Sequence, residues 1–387
     1  MLATVQQPPP WRCLAGGRLW QRVGPAAPRR LPLELMQQLH WWCVIPLARP
    51  RRSGARQPQP LPAHLALLAC WLNAYRPHEV RWWQAVGVTT WRDLQRHSPD
   101  SHVHAIHACR RQAWPDQCRP ALALLGDKAA LLALTPAPWR APFLRLGPDP
   151  SPTPPWWEGA LTSSGLVLKP LRGHGGRGVW RFRWQQGQLE QLPLFRRLPG
   201  DCPPWSGPAP PQPQELANHW QALTCRSEPL LAAPYLTASP ALPPTDPAVV
   251  VRVITARPAP QAPIAVEEAW LEIPLGEGAV AFVDRAGRAL PCVGPGYSDA
   301  QQHALHTWQA LLAEGLPAPI GACLEAALAL HARIPPIDRV AWDWIPASPQ
   351  PLLLEGNGGF GLLVPQLMAF FCYHIYKFNS CNCDNST

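Results

Sequence analysis

Apolar and polar positions alternate along much of the second half of the chain, which predicts short strands separated by loops and a few helices. The clearest strand is 249–255, where valine and isoleucine surround one arginine, because β-branched residues favour extended backbone. Further apolar runs predict strands at 166–169, 179–184, 189–195, 229–236, 267–273 and 279–284. Apolar residues at helical spacing predict helices at 214–224, 299–314 and 321–333. The fold class is therefore predicted as α/β of the α+β kind, with largely antiparallel sheets.

A hairpin is predicted near the end of this region, with strands at 339–345 and 351–355 around a turn at 347–350. If the turn is centred near position 349, Asp343 falls opposite Leu354 and Glu355. Asp343, Glu355 and Asn357 would then converge as two carboxylates and an amide oxygen, a ligand set that suits Mg²⁺. The alternative is a hairpin that carries ordinary exposed acids.

Proline distribution and composition divide the rest of the chain. Residues 1–120 are predicted to form a mostly helical N-terminal region, with a short helix at 33–44 and helices within 64–125. Residues 368–387 contain no Arg, Pro, Gly, Leu or Trp, although these residues dominate elsewhere. Such a shift predicts an atypical C-terminal tail that is peripheral to any site.

Overall composition limits the classes of function. An apolar content of 47% and 20 tryptophans indicate a globular protein despite 52 prolines. A net charge of +9 suits an anionic ligand, or else reflects an arginine-rich surface with no specific role. No basic run is interleaved with aromatic residues, so nucleic-acid binding is not expected. The chain contains no run of 18 apolar residues, so a membrane span is not expected. Its twelve cysteines lack C-x-x-C spacing, which is typical of free thiols. We expect a cytoplasmic protein.

Lysine is rare in this chain, with only three among 34 lysine and arginine residues. Lys169 ends the predicted strand 166–169 and is followed by a glycine-rich turn. Backbone N–H groups of such a turn can approach an anion, and the ammonium supplies a compact positive charge. The turn predicts a phosphate site, and with the hairpin acids it indicates a nucleoside triphosphate and a hard metal ion. The glycines concerned are Gly173, Gly175, Gly176 and Gly178.

With these motifs in place, the chain resembles the ATP-grasp superfamily over roughly residues 121–367, and most closely its sugar-transfer-associated ATP-grasp family. One such motif would be weak, but five in the family's order are a specific signal. The motifs are Asp127-Lys128, Val167-Leu168-Lys169-Pro170 with the glycine turn, Val251-Arg252-Val253-Ile254-Thr255, Trp342-Asp343-Trp344 and Leu354-Glu355-Gly356-Asn357.

The resemblance implies an ATP-grasp fold in which two lobes with antiparallel sheets, a small one at about 128–236 and a large one at about 237–367, sandwich ATP. It assigns Arg252 and Lys169 to catalysis, with Arg252 stabilising charge on the transferred phosphoryl group. The adenine would lie along 230–236 against backbone groups. The implied nucleotide-binding residues are Lys128, Lys169, Gly173, Gly175, Gly176, Gly178, Tyr235 and Leu236. The implied Mg²⁺ ligands are Asp343, Glu355 and Asn357.

The function implied is an ATP- and Mg²⁺-dependent ligase that activates a carboxylate as an acyl phosphate for attack by an amine or similar nucleophile. The family resemblance places such a reaction in the biosynthesis of surface polysaccharides or sugar conjugates. Two alternatives stay open: phosphoryl transfer to a hydroxyl, as in a kinase, and an inactive nucleotide-binding protein that serves as a partner in a complex.

Overall fold

The computed structural model describes residues 77–88, 107, 111, 114–147, 152–172, 178–194, 204–205, 207, 209–224, 226–276, 278–292 and 296–368. The chain divides into two compact units. One unit combines Met1–Arg110, Ala289–Ala300 and Gly359–Thr387, and the other combines Arg111–Arg288 and Gln301–Gly358. Two five-stranded sheets, both in the second unit, make up its framework.

The helices of the described residues are mostly short. They are α1 (Pro77–Ala85), α2 (Pro115–Leu125), α3 (Lys128–Leu134), α4 (Trp157–Thr162), α5 (Pro213–Thr224), α6 (Asp299–Ala313) and α7 (Ala318–Arg333). None of these helices alone is long and apolar enough to cross a membrane. Only α6 and α7 together reach that length and composition, and they are bent by 73° at the break between them.

The first sheet contains β1 (Leu144–Leu146), β2 (Leu166–Pro170), β3 (Trp180–Gln185), β4 (Gln188–Pro193) and β5 (Leu230–Pro234). Its order is β1-β5-β2-β3-β4, and every pairing is antiparallel. Alternation along β2 buries Leu166 and Leu168 in a core with Trp180 and Trp220, and turns Lys169 toward the other face. The β3–β4 turn needs a positive φ at both Gln186 and Gly187, at 54° and 77°, as expected for a tight two-residue hairpin.

The second sheet contains β6 (Val250–Ala256), β7 (Ala265–Gly276), β8 (Ala279–Asp284), β9 (Arg339–Ile345) and β10 (Leu352–Asn357). Its order is β10-β9-β6-β7-β8, again antiparallel throughout. Val253 and Trp342 are paired and fully buried on the face that packs against α7. Because side chains alternate along a strand, the opposite face receives Arg252 and Asp343. The sheet is thus apolar on one face and charged on the other.

The predicted mixed fold with antiparallel sheets is confirmed, and the predicted elements in the described residues differ from the observed ones by a few residues at most. One of these differences bears on the site: β5 stops at Pro234 rather than at 236, so Tyr235 and Leu236 follow the strand. Three short elements, α3, β1 and α4, were not among those predicted. The predicted helix at 33–44 lies outside the described residues, as does the tail beyond Met368, and the predicted domain bounds stay a prediction.

Candidate functional site

A row of four paired residues crosses the charged face of the second sheet. Glu355 on β10 pairs with Asp343 on β9, Asp343 pairs with Arg252 on β6, and Arg252 pairs with Trp270 on β7. Directly paired residues of antiparallel strands project from the same face, with their Cβ atoms about 5 Å apart. The expectation that Asp343 lies opposite Glu355 on one face is therefore met in the observed register.

Arg252 makes hydrogen bonds and ion pairs with two carboxylates around this row. Its Nε donates to Asp343 Oδ1 at 2.6 Å and its Nη2 to Asp343 Oδ2 at 2.7 Å. Its Nη1 lies 3.2 Å from Oε1 of Glu272, on the neighbouring strand β7. Burial acts to lower the pKa of Arg252, but the attraction of Asp343 and Glu272 outweighs it and raises that pKa. The half-buried arginine thus has two protein carboxylates as its counterions.

Asp343 is the most deeply buried acid of the site, with a side chain only 7% exposed. Burial raises the pKa of Asp343 to about 6, against the opposing attraction of Arg252. A carboxylate in this position is held in its charged form by a neighbouring cation. Its charge is therefore available to a ligand only in exchange for that cation.

Glu355 connects the row to two cations from elsewhere in the chain. Its Oε2 lies 3.5 Å from Lys128 Nζ, and its Oε1 accepts a hydrogen bond of 3.1 Å from Nδ2 of Asn357. Burial acts to raise the pKa of Glu355, but Lys169 and Lys128 together with that hydrogen bond lower it. Glu355 is thus a carboxylate held in its charged form at the centre of the site.

Lys169 reaches from the first sheet to the second. Its Nζ donates to the carbonyl oxygen of Leu354 on β10 at 3.0 Å. Burial lowers the pKa of Lys169, and repulsion from Lys128 lowers it further, while Glu355 and Asp343 oppose the change. The two lysines singled out in the sequence and the hairpin acids therefore belong to one cluster.

Lys128 owes its position to a helix start. Asp127 is the N-cap of α3, and its Oδ1 accepts hydrogen bonds from the backbone N–H groups of Ala129 and Ala130, both at 3.0 Å. Such a cap fixes the first turn of a helix. The backbone N–H of Lys128 also donates to Leu171 O, just after β2, at 3.4 Å. The Asp-Lys pair thus combines a cap with a lysine aimed at Glu355.

Gly178 is the one described glycine of the predicted phosphate turn, since Gly173, Gly175 and Gly176 lie outside the described residues. It has φ of +75°, and a Cβ there would lie 3.0 Å from Cζ2 of Trp220. Its carbonyl oxygen accepts a hydrogen bond of 2.9 Å from Trp220 Nε1. Gly178 is therefore required by backbone conformation and packing, and its contact with phosphate stays a prediction.

Tyr235 and Leu236 lie at the predicted adenine position, and the side chain of Tyr235 has other partners. Its hydroxyl donates to Asp246 Oδ1, and Arg181 places its guanidinium 3.9 Å from the ring centroid. Burial raises the pKa of Tyr235, and the hydrogen bond to Asp246 raises it further. Leu236 packs against the small cluster of Ala248, Ile345 and Ala347. The contact of this segment's backbone with adenine stays a prediction.

The donor set of the hairpin fits a hard divalent cation. Asp343 and Glu355 pair in register, and Asn357 follows two residues later on the same face, which offers carboxylate and amide oxygens of the kind that Mg²⁺ prefers. No group of three His, Cys, Asp or Glu side chains suited to a metal ion occurs within the described residues. A cation at this place would therefore depend on Asn357 or on ligand oxygens to complete its coordination.

Two features of the site were missed in the sequence. The sequence pattern predicts Glu272 only as part of a strand, although a carboxylate inside the apolar run 269–275 carries the same signal as Arg252 in its own strand. The second is a chain of hydrogen bonds on the opposite face, from Trp342 Nε1 to Thr255 Oγ1 at 2.8 Å and from Thr255 Oγ1 to His331 Nδ1 at 2.7 Å. Trp342 and Thr255, which each belong to a motif, therefore support the sheet from its buried face.

Comparison with known proteins finds similarity to solved structures at low values. No protein-family model and no curated protein matches the chain. A D-alanine–D-alanine ligase from Bacillus anthracis complexed with ATP is 11% identical over 62% of this chain and 56% of its own, with a TM-score of 0.33. The D-alanine–D-alanine ligase from Helicobacter pylori is 12% identical over 65% and 59%, with a TM-score of 0.34.

The third comparison is of the same strength. The N5-carboxyaminoimidazole synthetase from Staphylococcus aureus complexed with ADP is 12% identical over 62% of this chain and 46% of its own, with a TM-score of 0.32. This chain thus matches less than two thirds of the length of each of these structures. Likenesses at these values do not bear on what the chain binds, and the fold class rests on the two sheets themselves.

Proposed function

We propose that this chain is an ATP-grasp ligase that uses ATP and Mg²⁺ to activate a carboxylate as an acyl phosphate, which an amine or similar nucleophile then attacks. The observation that carries the proposal is the convergence of separate motifs on one charged cluster. Lys128, Lys169 and Arg252 supply cations, and Glu355 interacts electrostatically with all of them. They come from α3, β2 and β6, so only the fold brings them together.

The chemistry needs little from the protein besides charge and position. Lys128 and Lys169 bind phosphate oxygens of the nucleotide, and Arg252 stabilises the negative charge on the phosphoryl group as it moves to the substrate carboxylate. The attacking amine displaces phosphate from the acyl phosphate, which forms the new C–N bond and releases inorganic phosphate. Trp270, whose ring centroid lies 5.9 Å from Cζ of Arg252, borders this end of the row.

Asp343, Glu355 and Asn357 would hold Mg²⁺, which would neutralise phosphate charge at this place. The nucleotide base lies along the segment after β5, near Tyr235 and Leu236. The motif predicts that the glycine turn from Gly173 to Gly178, of which only Gly178 is described, binds the phosphates. The charge of the cluster is balanced without a ligand, so the nucleotide and the metal ion bind together.

The finer part of the proposal concerns the biological setting. The motif order is most similar to that of the sugar-transfer-associated ATP-grasp family, and we therefore propose a role in the synthesis of a surface polysaccharide or sugar conjugate in the cytoplasm. A sugar acid is then the carboxylate to test first. Amino sugars and amino acids are the first amines.

The decisive experiment is a screen of carboxylate and amine pairs for release of ADP and phosphate from ATP with Mg²⁺. We expect both products only when a carboxylate is present, together with an amide in the mass spectrum. Phosphate retained on a hydroxyl acceptor would make the protein a kinase. ATP binding without turnover for any acceptor would instead support the inactive nucleotide-binding partner.

A further inference from the structure

Glu272 is the carboxylate of the site that no motif accounts for. We infer that Glu272 is a positioning residue. It keeps its ion pair with Arg252 when Asp343 exchanges its ion pair with the arginine for a bond to the metal ion. The inference rests on the proposed function, because it takes Asp343 as a metal ligand. It concerns how the chain's own charges rearrange when that ligand arrives.

Arg252 contacts its two carboxylate partners through different nitrogen atoms. Nε and Nη2 face Asp343 on β9 at 2.6 and 2.7 Å, whereas Nη1 faces Glu272 on β7 at 3.2 Å. Asp343 thus shares both of its oxygens with one guanidinium. A divalent cation at Asp343 would lie beside that guanidinium, and like charges in a buried site repel strongly. The arginine and the metal ion therefore compete for Asp343.

Arg252 cannot leave Asp343 without another counterion. Its side chain is only 28% exposed, and a buried cation without a partner is costly. Glu272 lies two residues along β7 from Trp270, the residue paired with Arg252, so it projects from the same face. A rotation of the side chain toward Glu272 keeps the ion pair without any change in the backbone. Glu272 therefore lowers the cost of releasing Asp343.

The test measures Mn²⁺ binding to the full-length protein by the electron paramagnetic resonance signal of free Mn²⁺, with and without ATP. Glu355→Gln identifies the site, because it should abolish the tightest binding. Glu272→Gln should weaken that binding by about 10- to 100-fold, the usual effect of losing a residue that supports a metal ligand. Glu272→Asp should restore most of the affinity. Glu267→Gln, which removes a carboxylate elsewhere on β7 that is ion-paired with Arg339, is the matched control and should change the affinity by less than about threefold.

A double-mutant cycle separates positioning from other roles of Glu272. In an Arg252→Gln background no guanidinium competes with Mn²⁺ for the carboxylate of Asp343, so Mn²⁺ should bind at least as tightly as in the wild type. In this background Glu272→Gln should have almost no further effect on Mn²⁺ affinity. If Glu272 is itself a ligand, or acts only through its charge, Glu272→Gln will weaken binding equally in both backgrounds, and the inference is wrong. Should Arg252→Gln not fold, Arg252→Lys replaces it, because one ammonium cannot bridge both carboxylates; an undiminished effect there also overturns the inference.

Failure of the inference differs from failure of the proposed function. A wild type that binds Mn²⁺ through Glu355 and releases ADP, but whose affinity is unchanged in Glu272→Gln, refutes the positioning role alone. A wild type without any Mn²⁺ site that Glu355→Gln abolishes refutes the metal site, and both proposals fail with it.

Discussion

Lys169 is a half-buried cation that spans the two sheets, donates to the carbonyl oxygen of Leu354 and is attracted electrostatically by Glu355. We predict that Lys169→Met will lower nucleotide affinity by at least about tenfold, because a charged hydrogen bond to phosphate is worth about 1.5–3 kcal/mol. The fold should persist, since Lys169 contributes its charge to the site and not a side chain to the core of the first sheet. Isothermal calorimetry with ATP and Mg²⁺ measures the affinity.

Arg145→Met is the matched control for that change. Arg145 on β1 and Lys169 on β2 both pair with Leu231 on β5, so they lie on the same face of the first sheet. The side chain of Arg145, however, is exposed. We expect the control to bind nucleotide like the wild type. Equal loss in both variants would mean that general positive charge attracts the nucleotide, and unchanged affinity in Lys169→Met would remove Lys169 from the site.

His331 is a second residue whose environment makes a measurable prediction, this time about stability. Its Nε2–H donates to Ile337 O at 3.2 Å, and in the neutral ring that burial favours, Nδ1 accepts from Thr255 Oγ1 at 2.7 Å. Burial lowers the pKa of His331 to about 4, below the value of about 6.5 for an unfolded chain. The neutral ring thus contributes fully above pH 6.5, and the contribution is lost as the pH falls toward 4.

From this sign we predict that the wild type loses about 2 kcal/mol of unfolding free energy through His331 between pH 7 and pH 5. His331→Gln, which cannot titrate, should be less stable at pH 7 but should lack this part of the pH dependence. Urea unfolding of both proteins at the two pH values gives the difference. Parallel pH dependence in the two proteins would show that the ring is not held neutral.

The residues that could be predicted were those whose chemistry conflicts with their surroundings. Lys169 stood out because lysine is rare, and Arg252 because it interrupts an apolar strand. Glu272 likewise interrupts an apolar strand, but it was not predicted as a site residue because it belongs to no motif. The role of Thr255 could not be foreseen, because a buried hydroxyl between an indole and an imidazole depends on α7 packing against β6, which no local pattern specifies.

Among the larger elements, the β9–β10 hairpin was the most predictable, because its turn fixes the register of its strands. The β-bulge between Leu353 and Glu355 was not foreseen. It brings Glu355 opposite Asp343 and leaves the carbonyl of Leu354 to accept from Lys169. Three-residue β1 was missed because a strand that short has no recognisable period, and it exists through pairing with β5.

Gly356 gives a prediction at this level, since it lies between Glu355 and Asn357 in β10. A Cβ at Gly356 would lie 2.7 Å from Cζ3 of Trp342 and 2.9 Å from Cδ2 of Leu125, both in the buried interior of the second unit. We predict that Gly356→Ala destabilises the protein by about 1–3 kcal/mol through overpacking. Urea or thermal unfolding measures the loss.

A glycine with free space around it is the control for Gly356. A Cβ at Gly321, in α7, would meet nothing within 4 Å, and alanine favours a helix interior over glycine by up to about 1 kcal/mol. Gly321→Ala should therefore be as stable as the wild type or slightly more stable. If Gly356→Ala is equally well tolerated, the tight contact with Trp342 does not constrain the hairpin.

Considered as one chain, the protein carries a net charge of +9, yet the site balances its charges. Lys128, Lys169 and Arg252 face Asp343, Glu272 and Glu355, and the described contacts of these side chains join residues of the second unit. The excess positive charge therefore lies elsewhere and can attract an anionic substrate from a distance without adding to the site. Composition predicted an anionic ligand but could not indicate where the charges would cancel.

This arrangement gives a prediction for the atypical end of the chain. Residues 379–387 lie outside the described residues, and their Asn, Ser and Cys composition lacks the strong aliphatic residues that dock a segment on a core. We predict that a protein ending at Phe378 binds ATP with Mg²⁺ as tightly as the full chain, within about twofold, because the cluster draws its cations and carboxylates from 128–357. Calorimetry on the two proteins, each checked for folding by circular dichroism, makes the comparison. Glu355→Gln in both proteins is the control, and it should weaken binding equally; a folded truncated protein with tenfold weaker binding would show that the tail helps to close the nucleotide site.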